Sequence, residues 1–143
     1  MTRIALTLFG LLSLGVMLAP SAAVAETTPG VAFHVDSDAH MNLMLRQVAR
    51  HHAANPDIPV RVILIAEGVR AALEGAEDAN GGSYSAQMEQ LLAAGVRIFA
   101  CENTLISFNW APEDLAFGIE TVPSGIAELG RLQVKEQWAY IKL

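Results

Sequence analysis

Val96-Arg97-Ile98-Phe99-Ala100-Cys101-Glu102-Asn103-Thr104 is a short apolar run that passes into polar residues suited to a helix start. The run reads as a buried strand, with Cys101 where the strand gives way to a turn and a helix. It is the only cysteine in the chain. A strand that ends in a nucleophile and feeds a helix N-terminus is a recurrent reactive site in α/β proteins.

The segments on either side repeat the strand-then-helix order. Upstream, Val31-Ala32-Phe33-His34-Val35 reads as a first buried strand. Asp36, Ser37 and Asp38 offer N-caps for a helix over about Ala39 to Ala54. Met41, Met44, Leu45 and Val48 keep the i, i+3, i+4, i+7 spacing of a core face. Pro56 ends that helix. Val60 to Ala66 is β-branched and almost continuously apolar, as in a parallel strand covered on both faces. Gly68 to Leu73 reads as a short helix, and Gly75 to Gly82 as a mobile loop. Tyr84, Met88, Leu91 and Leu92 mark a further helix, with Gly95 at its C-terminus.

Downstream of Thr104 a short helical piece is expected, then Pro112 in a helical first turn. Ile119 to Val122 reads as a fourth strand. Ser124 is placed as the N-cap of a helix carrying Ile126, Leu129 and Leu132 on its core side and ending near Gln137. Trp138 to Ile141 reads as a fifth strand near an edge. The alternation predicts an α/β fold: three layers, α/β/α, around a mainly parallel five-stranded sheet. Right-handed crossovers then bring the strand C-termini to one edge. Asp36, Ser37, Glu67, Gly68, Cys101, Ser124 and Gly125 are expected there.

Residues 1–25 read as a signal peptide. Arg3 supplies a positive n-region, Ile4 to Leu18 a mostly apolar run, and Ala23-Val24-Ala25 an A-x-A cleavage site. The run is short for a membrane span, and no cysteine follows for lipid attachment. Cleavage after Ala25 predicts a periplasmic or secreted domain, residues 26–143, with no stable membrane insertion. An uncleaved anchor is the alternative. Without Arg3 the formal charge of −6 becomes −7. The acidity and the lack of a basic run argue against a nucleic-acid partner. A single cysteine makes no internal disulfide, so stability rests on apolar burial.

The chemistry of Cys101 has two readings. Helix-start amides favour a thiolate, whereas a free cysteine also commonly just packs. Glu102 opposes a second anion nearby. His34 lies inside a strand and reads as a hydrogen-bonded core residue. His40 would pair with Cys101 only if the fold brought them together. The spacing of histidines and carboxylates suits no metal, and no phosphate-binding glycine motif is present, so no cofactor is expected. Pro123-Ser124-Gly125 suits an ordinary turn or an anion at a helix start.

Taken in order, Phe33-His34-Val35-Asp36-Ser37, Ala100-Cys101-Glu102-Asn103-Thr104, Val122-Pro123-Ser124-Gly125 and Trp138-Ala139-Tyr140-Ile141-Lys142 resemble the DsrE/DsrF-like family. The resemblance covers nearly all of residues 26–143. It implies a three-layer fold, homo-oligomers and a role near sulfur, since better-studied relatives carry sulfur as a cysteine persulfide. Cys101 matches the family's cysteine. Such relatives are typically cytoplasmic, and the export signal departs from that. Asn103, Thr104, Ser124 and Gly125 are expected to surround the sulfur, with Asp36 and Ser37 as further binding candidates on the same edge. Two functions follow: a sulfur carrier using Cys101, its donor and acceptor unspecified, or a non-catalytic homo-oligomeric module that binds a small ligand or partner, with Cys101 packed and inert.

Overall fold

The computed structural model describes residues 28–143. The expected signal peptide lies outside the described residues, as do Glu26 and Thr27. Five strands form one sheet: β1 (Val31–Val35), β2 (Val60–Leu64), β3 (Arg97–Cys101), β4 (Glu120–Val122) and β5 (Ala139–Lys142). Their order is β4-β3-β2-β1-β5, and every neighbouring pair is parallel. Four α-helices connect or follow them: α1 (Met41–Ala54), α2 (Tyr84–Ala93), α3 (Glu102–Ser107) and α4 (Gly125–Glu136). Short 3-10 segments occupy Asp38–His40, Ala66–Ala72 and Pro112–Asp114.

Successive strand residues point to opposite faces, so each central strand feeds two cores. Phe33, Val62, Leu64 and Ile98 pack with Met41, Met44, Leu45 and Val48 of α1 and with Tyr84, Met88 and Leu91 of α2. Ala32, Ile63 and Phe99 pack instead with Leu129 and Leu132 of α4 and with Trp138. This is the expected α/β architecture. The second core is the smaller, because α4 supplies its helical layer. An ion pair fixes that helix over the sheet: Arg61 of β2 reaches Glu128 in the first turn of α4 at 2.8 Å, and its guanidinium lies 4.8 Å from the Trp138 ring centroid.

The elements depart from expectation in four places. The helix after β1 begins as a 3-10 turn at Asp38, and the Ser37 side chain does not cap it. β2 stops at Leu64, because Ala66 turns into the left-handed region with φ 51° and opens a 3-10 segment. Ile126, read as a core residue, is 63% exposed, while Leu129 and Leu132 are buried. The apolar face of α4 therefore begins one turn later.

The fourth departure is the stretch Gly75 to Gly82, which is a hydrogen-bonded turn around Asp78. The Asp78 carboxylate accepts from the N–H groups of Asn80 and Gly82 at 2.8 and 2.9 Å. Its second oxygen accepts from Asn42 Nδ2 of α1 at 2.7 Å. Composition showed no apolar group able to pin this loop, and an aspartate pins it instead through polar contacts.

His34 is a hydrogen-bonded core residue, as expected. It is buried in β1, with Nδ1 hydrogen-bonded to the Tyr140 hydroxyl of β5 at 2.8 Å. Burial lowers its pKa from 6.5; neighbouring Asp36 opposes that shift and Lys142 adds to it. The unfolded chain therefore takes up the proton more readily than the fold does. The His34 contribution to stability is full above about pH 6.5 and falls as pH drops towards the folded value. Asp36, Asp78, Glu120 and Glu128 are held below their ordinary carboxylate values and lose their contributions only in stronger acid. Urea unfolding between about pH 8 and pH 5 should show the decline, and His34→Asn should flatten it. An equal decline in the variant would remove His34 as the cause.

Candidate functional site

Cys101 is the last residue of β3 and the residue that precedes α3. Its register partner on β4 is Val122. Two residues beyond Val122, Ser124 caps α4, its hydroxyl oxygen accepting from Ala127 N–H at 3.3 Å. The parallel register thus sets two helix starts beside one sulfur. Cys101 is 4% exposed and lines a cavity of about 390 Å³. Ile65, Ala66, Asn103, Thr104, Ser107, Phe108, Ser124 and Ile126 form its walls.

Burial pushes the thiol pKa up. The N–H groups of Gly125, Thr104 and Asn103 and the Thr104 hydroxyl more than offset that, so the net shift is downward from 9.0. These donors act on the charge of the thiolate from the wall of the cavity, as helix-start amides do for reactive cysteines.

Gly125 is fixed by space. A Cβ there would lie 2.6 Å from Ile65 Cγ1 and 3.1 Å from Ile63 Cγ2. Only a bare Cα lets the start of α4 settle onto the end of β2 and offer its N–H to the sulfur. Glu102 is directed elsewhere: its carboxylate accepts from the Thr121 hydroxyl of β4 at 2.7 Å.

The fold therefore brings Cys101, Asn103, Thr104, Ser124 and Gly125 together. It does not bring Asp36 and Ser37 to them. Asp36 pairs with Lys142 of β5 at 2.5 Å, and the Ser37 carbonyl accepts from His40 N–H at 3.2 Å. Both lie on the same sheet edge but two strands away from β3, because β2 stands between β1 and β3. None of the cavity residues is a histidine, so His40 does not pair with Cys101 there.

Sequence reasoning missed Ile65, Ala66, Ser107 and Phe108 as walls, and assigned Ile126 to the core. Phe108 stacks on Trp110 with ring centroids 4.7 Å apart. Two aromatics two residues apart after a short helix were the available signal. Nothing in the residue type of Ala66 announces its left-handed backbone.

Fold and site together define a small α/β protein with a parallel sheet and a cysteine held among helix-start amides at the C-terminal strand edge. The chain belongs to the DsrE/DsrF-like family, which it matches over residues 30–143. That family is related to sulfur relay. Solved structures share the fold. A protein of unknown function, MTH1491, from Methanobacterium thermoautotrophicum is 29% identical with a TM-score of 0.71, the match covering 80% of this chain and 99% of that one. The ychN protein from E. coli is 17% identical with a TM-score of 0.66, covering 80% and 99%. BT1422, a conserved protein of unknown function from Bacteroides thetaiotaomicron, is 18% identical with a TM-score of 0.59, covering 82% and 98%. The last two likenesses concern the fold alone. No curated protein matches the chain.

Proposed function

We propose that this protein is a sulfur carrier that holds sulfane sulfur as a persulfide on Cys101. The observation that supports the reading is a cysteine that lines an open cavity at the junction of β3 and α3, beside the start of α4, its thiol pKa drawn below the ordinary value by neighbouring N–H and hydroxyl groups. The Cys101 thiolate attacks the outer sulfur of a donor R–S–SH. A new S–S bond forms on Cys101, the donor's S–S bond breaks, and RS⁻ leaves. The terminal sulfur then passes to an acceptor thiolate on another molecule, which regenerates the Cys101 thiolate. With one cysteine in the chain there is no internal thiol to resolve the persulfide, which suits a carrier.

The n-region, apolar run and A-x-A site support export, and the reading therefore puts the carrier outside the cytoplasm. Exposed apolar side chains at Ile106, Phe117 and Val134 support a homo-oligomer.

The low exposure of Cys101 favours a second reading: a ligand-binding module with a packed, inert cysteine. Treatment of the native protein with inorganic polysulfide, followed by intact-mass measurement, separates the two. The carrier gains one sulfur atom and loses it to cyanide or a small thiol. A native protein that gains none and also resists alkylation has a packed cysteine.

A further inference from the structure

The cavity beside Cys101 has walls of one kind of chemistry. Ile65, Ala66, Phe108 and Ile126 are apolar, and the other wall residues beside the cysteine carry uncharged hydroxyl or amide groups. The hydroxyls already have partners inside the protein. Thr104 Oγ1 accepts from the Ala66 N–H at 3.0 Å, and Ser124 Oγ accepts from the Ala127 N–H at 3.3 Å. The Ser107 hydroxyl donates to the Asn103 carbonyl at 2.7 Å. Two charged groups near the cavity are engaged elsewhere. The Glu102 carboxylate accepts from the Thr121 hydroxyl at 2.7 Å. Arg70, whose guanidinium carbon lies 5.9 Å from the Phe108 ring centroid, has the Asp38 carboxylate at 3.7 Å.

The apolar walls are open to solvent, with Ile126 63% and Phe108 37% exposed. Trp110 stacks behind Phe108 and stiffens that wall. The volume of about 390 Å³ falls among small-molecule sites, which run from about 300 to 1,000 Å³. Reaction at Cys101 needs the thiolate. The start of α4 carries a partial positive charge of about half a unit, which one thiolate already outweighs. A second anion would therefore meet the first between walls that hold no cationic side chain. A hydrocarbon group instead leaves water for contact with Ile126 and Phe108.

We infer that the cavity selects small, uncharged, apolar thiol compounds as the partners of Cys101: a persulfide R–S–SH as donor or a thiol R–SH as acceptor, with R a hydrocarbon group against Phe108 and Ile126. This deepens the carrier reading and rests on it for the sulfur step. The donor gives Cys101–S–SH and RS⁻. In the return step RS⁻ attacks the terminal sulfur and restores the Cys101 thiolate.

The test reads access to Cys101 separately from sulfur transfer. Methanethiosulfonates, CH₃SO₂–S–R, form Cys101–S–S–R and release methanesulfinate. With R as benzyl, hydroxyethyl or sulfonatoethyl, rates on the native protein are divided by those of a small cysteine peptide with blocked termini. Salt at about 1 M, where the Debye length is about 3 Å, removes the long-range effect of the acidic chain. The expected order is benzyl, hydroxyethyl, sulfonatoethyl, with roughly tenfold between first and last. Phe108→Ala and Ile126→Ser should shrink the advantage of benzyl over hydroxyethyl. Ser107→Lys should raise the sulfonatoethyl rate roughly tenfold, and if it does not fold, Ile126→Lys decides by the same criterion. A sulfonatoethyl rate equal to the benzyl rate or above it overturns the inference, as does a Cys101 that none of the reagents reaches. Protein loaded with polysulfide should return its sulfur to benzyl mercaptan, 2-mercaptoethanol and 2-mercaptoethanesulfonate in the same order. The predicted order in a protein that takes up no sulfur would sink the carrier reading and leave the selectivity standing. Sulfur uptake without the order would do the reverse.

Discussion

Cys101→Ser is expected to fold like the native chain and to gain no sulfur from polysulfide. Serine is slightly smaller than cysteine and keeps the shape of the site. Burying its hydroxyl is costly only if it lacks a partner. Here the donors that serve the sulfur remain: the N–H groups of Gly125, Thr104 and Asn103 and the Thr104 hydroxyl. The change in stability should therefore stay within about 1 kcal/mol, as for a satisfied polar replacement. The chemistry changes completely, because sulfur exchange needs a thiolate and a serine hydroxyl does not ionise near neutrality. The mass increment should vanish while the melting temperature stays close to native. A variant that still gains one sulfur atom would show that Cys101 is not the acceptor.

Gly68→Ala is expected to bring a large loss of stability. Its Cβ would sit 2.6 Å from the Val35 carbonyl oxygen and 3.0 Å from the carbonyl carbon. These are backbone atoms, and the oxygen is held by the Ile65 N–H at 2.9 Å. It cannot retreat without loosening the end of the β1–β2 ladder. Overpacking of this kind costs about 3 kcal/mol. The strain would fall on the 3-10 segment that begins at Ala66, so the wall of the Cys101 cavity would move as well. Gly130→Ala is the internal control. It lies inside α4, its Cβ would meet nothing within 4 Å, and it should stabilise by roughly 0.5–1 kcal/mol through helix propensity alone. Denaturant unfolding of the two variants should show opposite signs. Equal midpoints would mean that the junction at the C-terminal ends of β1 and β2 is softer than its geometry indicates.

The fold was legible where one property repeated. The spacing of Met41, Met44, Leu45 and Val48 fixed the inner face of α1, and all four are buried. Val60 to Leu64 could be read as a strand because β-branched residues continue on both faces. The centre of the site was legible because Cys101, Ser124 and Gly125 lie at strand-to-helix junctions, which a parallel sheet aligns. What stayed hidden depends on single contacts between distant residues. Asp36 lies at such a junction too, yet Lys142 of the last strand claims it. Ile126 has the right spacing for the core, but the helix start that feeds the site turns it outward. Asp78 organises its loop through Asn42, a residue on another element.

The strand order has a consequence for the way the chain comes into being. β5, the last strand formed, lies beside β1, the first. While a ribosome has delivered only as far as α4, the outer rim of β1 carries open backbone N–H and C=O groups, a template for any passing strand. Docking of β5 closes that rim with a parallel ladder, the Tyr140–His34 hydrogen bond and the Lys142–Asp36 ion pair. Contacts across so long a loop form late, because the whole intervening chain must first be ordered. The newborn protein is thus most exposed to wrong pairings just before its final four-residue strand arrives.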